Sequence, residues 1–255
     1  MPKEHGSWSL ALEPVALGLL VAPSWSAAWL GLALVAGFFS RRPLKILLHD
    51  PHPERRATAR GVFALLSVVV GASMLAALEF GPATLFLSLL PIGALGAAFL
   101  WFDLRNAGRE GVAEVIGAAA FALAPGAMAT AAGWPALAAL ALAWAMLARA
   151  VPTVLTVRTC VRARKQSHPM GDFVAAGLAA GAAIVAVIGA GLLAARGALP
   201  WAVVAALAVL LIRTLLLVCF PRLNLRARTL GFIELALGIG FVATAALAWR
   251  FLANA

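Results

Sequence analysis

The sequence predicts an all-α, polytopic membrane bundle of about nine transmembrane helices, with residues 1–255 forming a single transmembrane domain. Three observations carry that expectation. The chain is 64% hydrophobic and only 12% charged. Uncharged runs recur at 14–40, 61–78, 80–102, 115–148, 173–195 and 197–212. The connections alternate between strongly basic and nearly uncharged. A hydrocarbon core of about 30 Å takes about 20 helical residues, so several runs fit one span and two are too long for one. No strand-period alternation supports a β-rich alternative.

The first stretch, from Gly6 to Ser40, would make a helix of roughly 52 Å at about 1.5 Å per residue. It contains Ala22-Pro23-Ser24 and divides there into spans at about 7–22 and 25–40. Spans three and four follow at 59–78 and 82–101. The stretch from Gly111 to Val151 breaks at Ala132-Gly133-Trp134-Pro135, giving spans at 111–130 and 135–155. The last three are 172–194, 200–219 and 230–250. Their alanine and glycine content suits close packing between membrane helices.

Charge sets the expected orientation. One set of connections carries Arg41, Arg42, Lys45, Arg55, Arg56 and Arg60, then Arg105 and Arg109, then Arg158, Arg162, Arg164 and Lys165, and finally Arg222, Arg226 and Arg228. Arg196 is the only basic residue of the opposite connections. The positive-inside rule therefore predicts a cytoplasmic N-terminus and an outside C-terminus. Topology accounts for the net charge of +10 without nucleic acid, and no nucleic-acid module is visible. Cys160 and Cys219 fall near cytoplasmic helix ends, where a structural disulfide is not expected. The opening Met-Pro-Lys-Glu-His-Gly has no cleavable signal pattern, so the first span is expected to remain in the protein.

Glu13, Glu114 and Glu234 lie just inside the starts of apolar segments. Ionisable groups in hydrocarbon are costly, so these acids are expected to face a packed interior or a polar cavity. All three fall near cytoplasmic starts of spans running in the same direction, which predicts a common cytoplasm-facing pocket. Arg149 and Arg213 are the candidate buried ion-pair partners. A local alternative is stabilisation of each acid by the unpaired amides of a helix start. Spans five and nine also echo one another, as Gly111, Glu114 and Gly117 against Gly231, Glu234 and Gly238. Glycine precedes glutamate by three positions in both, near one helix face.

The polar connections hold three clusters: His49-Asp50-Pro51-His52-Pro53-Glu54-Arg55-Arg56; Asp103, Arg105, Arg109 and Glu110; and Arg162, Arg164, Lys165, His168 and Asp172. Mg²⁺ prefers oxygen ligands and bridges carboxylates to phosphates, and arginine forks hold phosphate. Such groups facing one cavity would bind a diphosphate head while apolar helices hold its tail. Solvated loop charges that only mark topology are the alternative. His5, in His-Gly-Ser-Trp before the first span, would reach a headgroup or close the cavity. No nucleotide or haem motif is present.

Pro2-Lys3-Glu4-His5-Gly6-Ser7-Trp8, Glu13-Pro14, Gly18, Arg42-Pro43-Leu44-Lys45 and Asp50 resemble the YwiC-like family of bacterial integral membrane proteins. Arg109, Glu114, Ala124-Pro125-Gly126, Val151-Pro152, Val157-Arg158, His168, Gly231 and Glu234 extend the likeness. That resemblance implies a bacterial cytoplasmic (inner) membrane protein. The nine-span layout, with polar loops after spans two and six, is also similar to the UbiA superfamily of intramembrane prenyltransferases. The superfamily's two aspartate-rich motifs stand here only as His-Asp-Pro-His-Pro-Glu and Asp172.

The UbiA-like resemblance implies Mg²⁺ held by Asp50, Glu54 and Asp172, with Arg42, Lys45, Arg158 and Arg162 on the diphosphate. Glu13, Glu114 or Glu234, with His5, would orient a lipid-soluble aromatic or quinone-like acceptor. Two other classes stay open: a noncatalytic lipid- or quinone-binding assembly protein, and a proton-coupled transporter of an anionic solute. The expected partners are membrane lipids and an isoprenoid diphosphate or quinone-like molecule, with no nucleic acid.

Overall fold

Proline and glycine punctuate the chain where the sequence breaks its apolar runs. The computed structural model describes residues 7–163, 169–219 and 227–253. Helix α1 (Ser7–Val21) ends before Pro23, and α2 (Trp25–His49) begins behind Ser24, whose side chain accepts a hydrogen bond from the Ala27 amide at 3.0 Å. Helices α3 (Pro53–Glu79) and α4 (Leu85–Leu104) follow. The fifth expected span is two helices end to end, α5 (Gly111–Ala122) and α6 (Ala124–Ala131). Pro125 lacks an amide proton, and its ring crowds the carbonyl four residues back, which interrupts the helix at Leu123. Gly133, at φ +80°, turns the chain into α7 (Ala136–Ala163). Then come α8 (Pro169–Ala195), α9 (Trp201–Cys219) and α10 (Ala227–Ala253).

Among the described residues there is no strand, and seven helical segments are long and apolar enough to cross a membrane. The chain is a polytopic helical membrane bundle. The other two expected spans are also helical but differ in kind. In α1 the apolar helix is short, Ala11–Val21. In α2 the helix does not stop near Ser40; it carries Arg41, Arg42 and Lys45 and runs through Pro43 to His49. A proline inside a membrane-protein helix is tolerated when neighbouring groups satisfy the freed carbonyl. With α3 starting at Pro53, the loop expected over residues 41–58 shrinks to Asp50-Pro51-His52.

Two apolar cores result. One joins α1, α5, α6, α7, α8, α9 and α10 through residues such as Leu17, Leu142, Met146, Leu207 and Phe241. The other joins α1, α2, α3, α4 and α6 through Val15, Leu30, Leu85, Ile92 and Met128. Helices α1 and α6 therefore stand between the two halves. Their contact is close because Gly18 has no side chain: a Cβ there would collide with Met128. Helix α7 is central, its apolar window 67% buried, whereas those of α3 and α4 are each 11% buried and face outward.

Candidate functional site

The deepest polar feature is an ion network joining α1, α7, α9 and α10. Arg149 of α7 meets Glu13 of α1 through two contacts, Nε to Oε2 at 2.9 Å and Nη2 to Oε1 at 3.3 Å. Nη2 also donates to the Glu234 carbonyl of α10 at 3.1 Å, and Nη1 to the Thr153 hydroxyl at 3.4 Å. The Glu234 carboxylate pairs with Arg213 of α9. Glu13, Arg149 and Glu234 are all buried. Two acids and two guanidiniums make the group neutral, which membrane burial requires of charges that lack water.

Sequence spacing explains its position. Arg149, Thr153 and Thr156 lie on one face of α7 at helical intervals, and Thr156 shares a 3.2 Å hydrogen bond with Thr214, the neighbour of Arg213 on α9. Gly238, one turn beyond Glu234, lets α10 approach: a Cβ there would strike the Glu13 carboxylate and the Arg149 guanidinium.

Glu114 lies apart from the other two acids. It pairs with Arg158 at 2.6 Å, and the same Nη1 donates to the Arg109 carbonyl at 2.9 Å, tying the start of α5 to α7. Arg158 is nine residues beyond Arg149, roughly 13.5 Å along the helix. The glycine echo is unequal as well. Gly111 lies against the Arg158 guanidinium, while a Cβ at Gly231 would meet nothing within 4 Å.

None of the three glutamates lines the apolar cavity on the other side of the bundle. That space, about 620 Å³, lies among α2, α3, α4 and α5 and is walled by side chains including Leu34, Phe38, Met74, Leu89, Phe99 and Phe121. Its volume falls within the range of about 300–1,000 Å³ common for small-molecule sites. Gly37, Gly93 and Gly96 open onto it, and a Cβ at any of them would meet no atom within 4 Å. At the basic end the wall includes Arg41. Its guanidinium lies 4.4 Å from the Phe99 ring centroid and 5.1 Å from that of Phe38.

Arg41 and Lys45 stand one turn apart because α2 continues through Pro43, so both reach Asp103 at the end of α4. Arg41 Nε and Nη2 each lie 3.3 Å from Oδ2, and Lys45 Nζ lies 3.3 Å from Oδ1. Sequence reasoning placed these three among loop charges and gave only Lys45 a site role. The usable signal was the four-residue spacing of Arg41 and Lys45, in phase with Gly37 and Leu34.

The remaining expected residues divide as follows. Arg42 and Arg162 are exposed. Glu54 is exposed in the first turn of α3. Asp50 Oδ1 accepts from the His52 amide at 2.9 Å and lies 3.0 Å from His52 Nδ1, while Oδ2 is 3.8 Å from Arg55. These bonds hold the Asp50 carboxyl below the usual aspartate range, the backbone amide of His52 most strongly. His5 lies outside the described residues. Asp172 is within α8, but its side chain is outside the described ones. Among the described residues no group of three or more His, Cys, Asp and Glu gathers as a metal site would need.

Together these features define a multi-pass membrane protein with a buried neutral ion network and a separate apolar cavity ending on a cation. Residues 1–127, just under half of the chain, match the family described as YwiC-like protein. The match contains the whole lining of the cavity with Asp103, Glu13 and Glu114; Arg149, Arg213 and Glu234 lie beyond it. Neither the curated proteins nor the solved structures yield a match.

Proposed function

We propose that this protein binds an amphiphile with an isoprenoid-like apolar tail and an anionic head. The tail occupies the cavity among α2, α3, α4 and α5, and the head meets Arg41 and Lys45. The carrying observation is an apolar cavity of about 620 Å³ with a guanidinium in its wall at the basic end. An isoprenoid diphosphate has this build. In this reading the basic end faces the cytoplasm of a bacterial inner membrane, with the N-terminus inside and the C-terminus outside, by the positive-inside rule.

Binding without turnover is the form that the geometry favours. Mg²⁺-assisted prenyl transfer to a quinone-like acceptor would need Asp50, Glu54 and Asp172 gathered beside the head. Asp50 is instead engaged by His52 and Arg55.

The test is equilibrium binding of farnesyl diphosphate to the purified protein in nanodiscs, with wild type compared to Gly93→Leu. The leucine would project into open space and occupy part of the cavity without a clash at its Cβ. A loss of at least about tenfold in affinity is expected, equal to about 1.4 kcal/mol. Equal binding by both proteins, or none by the wild type, would overturn the assignment.

A further inference from the structure

Asp103 occupies the cations assigned above to the ligand head. We infer that it is the specificity-determining residue of that site: an internal counter-anion that an incoming head must displace. The inference rests on the proposed amphiphile site.

The geometry is that of a carboxylate standing where a ligand anion would stand. Both Asp103 oxygens are engaged, Oδ2 by the two Arg41 nitrogens and Oδ1 by Lys45, all at 3.3 Å. Its side chain is only 14% exposed, against 26% for Arg41 and 34% for Lys45. The cations therefore keep an open side while the carboxylate is covered. The following loop folds over Asp103: its carbonyl accepts from the Asn106 amide at 3.1 Å, and a Cβ on Gly108 would stand 2.8 Å from Oδ1.

These contacts also close the site mechanically. Arg41 stacks on Phe99 and pairs with Asp103, four residues apart on α4, so one α2 side chain fastens the basic end of α4. A neutral head gives Arg41 and Lys45 nothing to exchange for Asp103, and the fastening persists. A phosphate or diphosphate head supplies several oxygens to the same forks. It displaces the carboxylate and frees α4 from α2. Asp103 thereby makes an anionic head a condition of full occupancy.

The experiment measures binding of farnesyl diphosphate, farnesol and inorganic pyrophosphate to wild type, Asp103→Asn, Asp103→Ser and Asp103→Glu, in phosphatidylcholine nanodiscs. Removing the competing charge is expected to tighten farnesyl diphosphate roughly three- to tenfold in the Asn or Ser variant, the scale of one to two partly exposed ion pairs. Farnesol, held out of full occupancy by the Asp103 fastening in the wild type, should also gain affinity in the Asn or Ser variant, and Asp103→Glu should behave as wild type. Two charge-removing variants keep the test open if one fails to fold.

Weaker or unchanged farnesyl diphosphate binding in the folded Asn or Ser variant, with the wild type binding normally, would overturn the role of Asp103 alone. Absence of binding in every variant would remove the amphiphile site itself. Pyrophosphate binding as tightly as farnesyl diphosphate would show a head site without a tail cavity, which also overturns that assignment.

Discussion

Arg149→Met should destabilise the bundle by roughly 3–5 kcal/mol, the cost of stripping one partner from a buried ion pair. The magnitude follows from the burial of both groups: the side chains of Arg149 and Glu13 are 2% and 7% exposed. Methionine retains much of the arginine's length but none of its donors. It would leave the Glu13 carboxylate uncompensated and end the link to the Glu234 carbonyl. Glu13→Gln should cost less, because an amide oxygen still accepts from Arg149 while the carbonyl and Thr153 contacts persist. The double variant removes both charges, so it should recover about 2 kcal/mol relative to the sum of the single losses. Reversible unfolding in mixed micelles with increasing SDS, followed by tryptophan fluorescence, measures all four proteins. Additivity within about 0.5 kcal/mol would refute the reasoning, because independent sites add and coupled charges do not.

Gly238→Ala should cost roughly 1–3 kcal/mol in the same assay, the usual range for overpacking, because its methyl collides with the Glu13–Arg149 pair. Gly231→Ala, in the same helix with open space at its Cβ, should stay neutral or stabilise by up to about 1 kcal/mol; equal losses would discount the close approach at Gly238. At the α2–α3 turn, the His52 amide and ring hold the Asp50 carboxyl below its ordinary value of 3.8. A depressed folded-state value stabilises the turn above the ordinary value, and this contribution is lost as pH falls through the lower folded one. A carboxyl ¹³C titration should place the Asp50 midpoint below that of free aspartate. His52→Ala should raise it while leaving the backbone contribution. A wild-type midpoint at or above the free value would contradict the geometry.

The bundle was legible because membrane length and chain breakers act locally. Pro23 and Gly133 divide the two overlong runs where the sequence indicates, and helix occupies most of each of the nine expected segments, the fifth in two pieces. Less visible was what happens past the apolar runs. The charges after Ser40 suggested a loop, yet α2 continues for another nine residues. That continuation brings Arg41 and Lys45 onto Asp103, a contact between positions about sixty residues apart that no local pattern encodes. The buried partners were partly legible. A guanidinium deep in an apolar run needs an acid, so Arg149 and Arg213 were nameable, but helix packing decided that they take Glu13 and Glu234. Glu114 shares the glutamate spacing of Glu234, but the nearest cation on its face is Arg158.

The two polar features demand opposite kinds of packing, which explains their separation in the bundle. A neutral set of two carboxylates and two guanidiniums is stable only where helices close tightly enough to exclude lipid and fix each fork. Gly238 supplies such an approach beside the central α7. The tail site proposed above would need space instead. It lies among helices whose outward faces are scarcely covered: the apolar windows of α3 and α4 are 11% buried against 67% for α7. Helix α3 packs on α2 while α4 packs on α5 and α6, so the cavity is bordered by two helices held from different sides. The Arg41–Asp103 and Lys45–Asp103 pairs then fasten α4 to α2 at the basic end, where an anionic head would exchange one carboxylate for another anion. The ion network lacks that exchange: Glu13, Arg149 and Glu234 are buried, and each charge of the network pairs with a group on another helix.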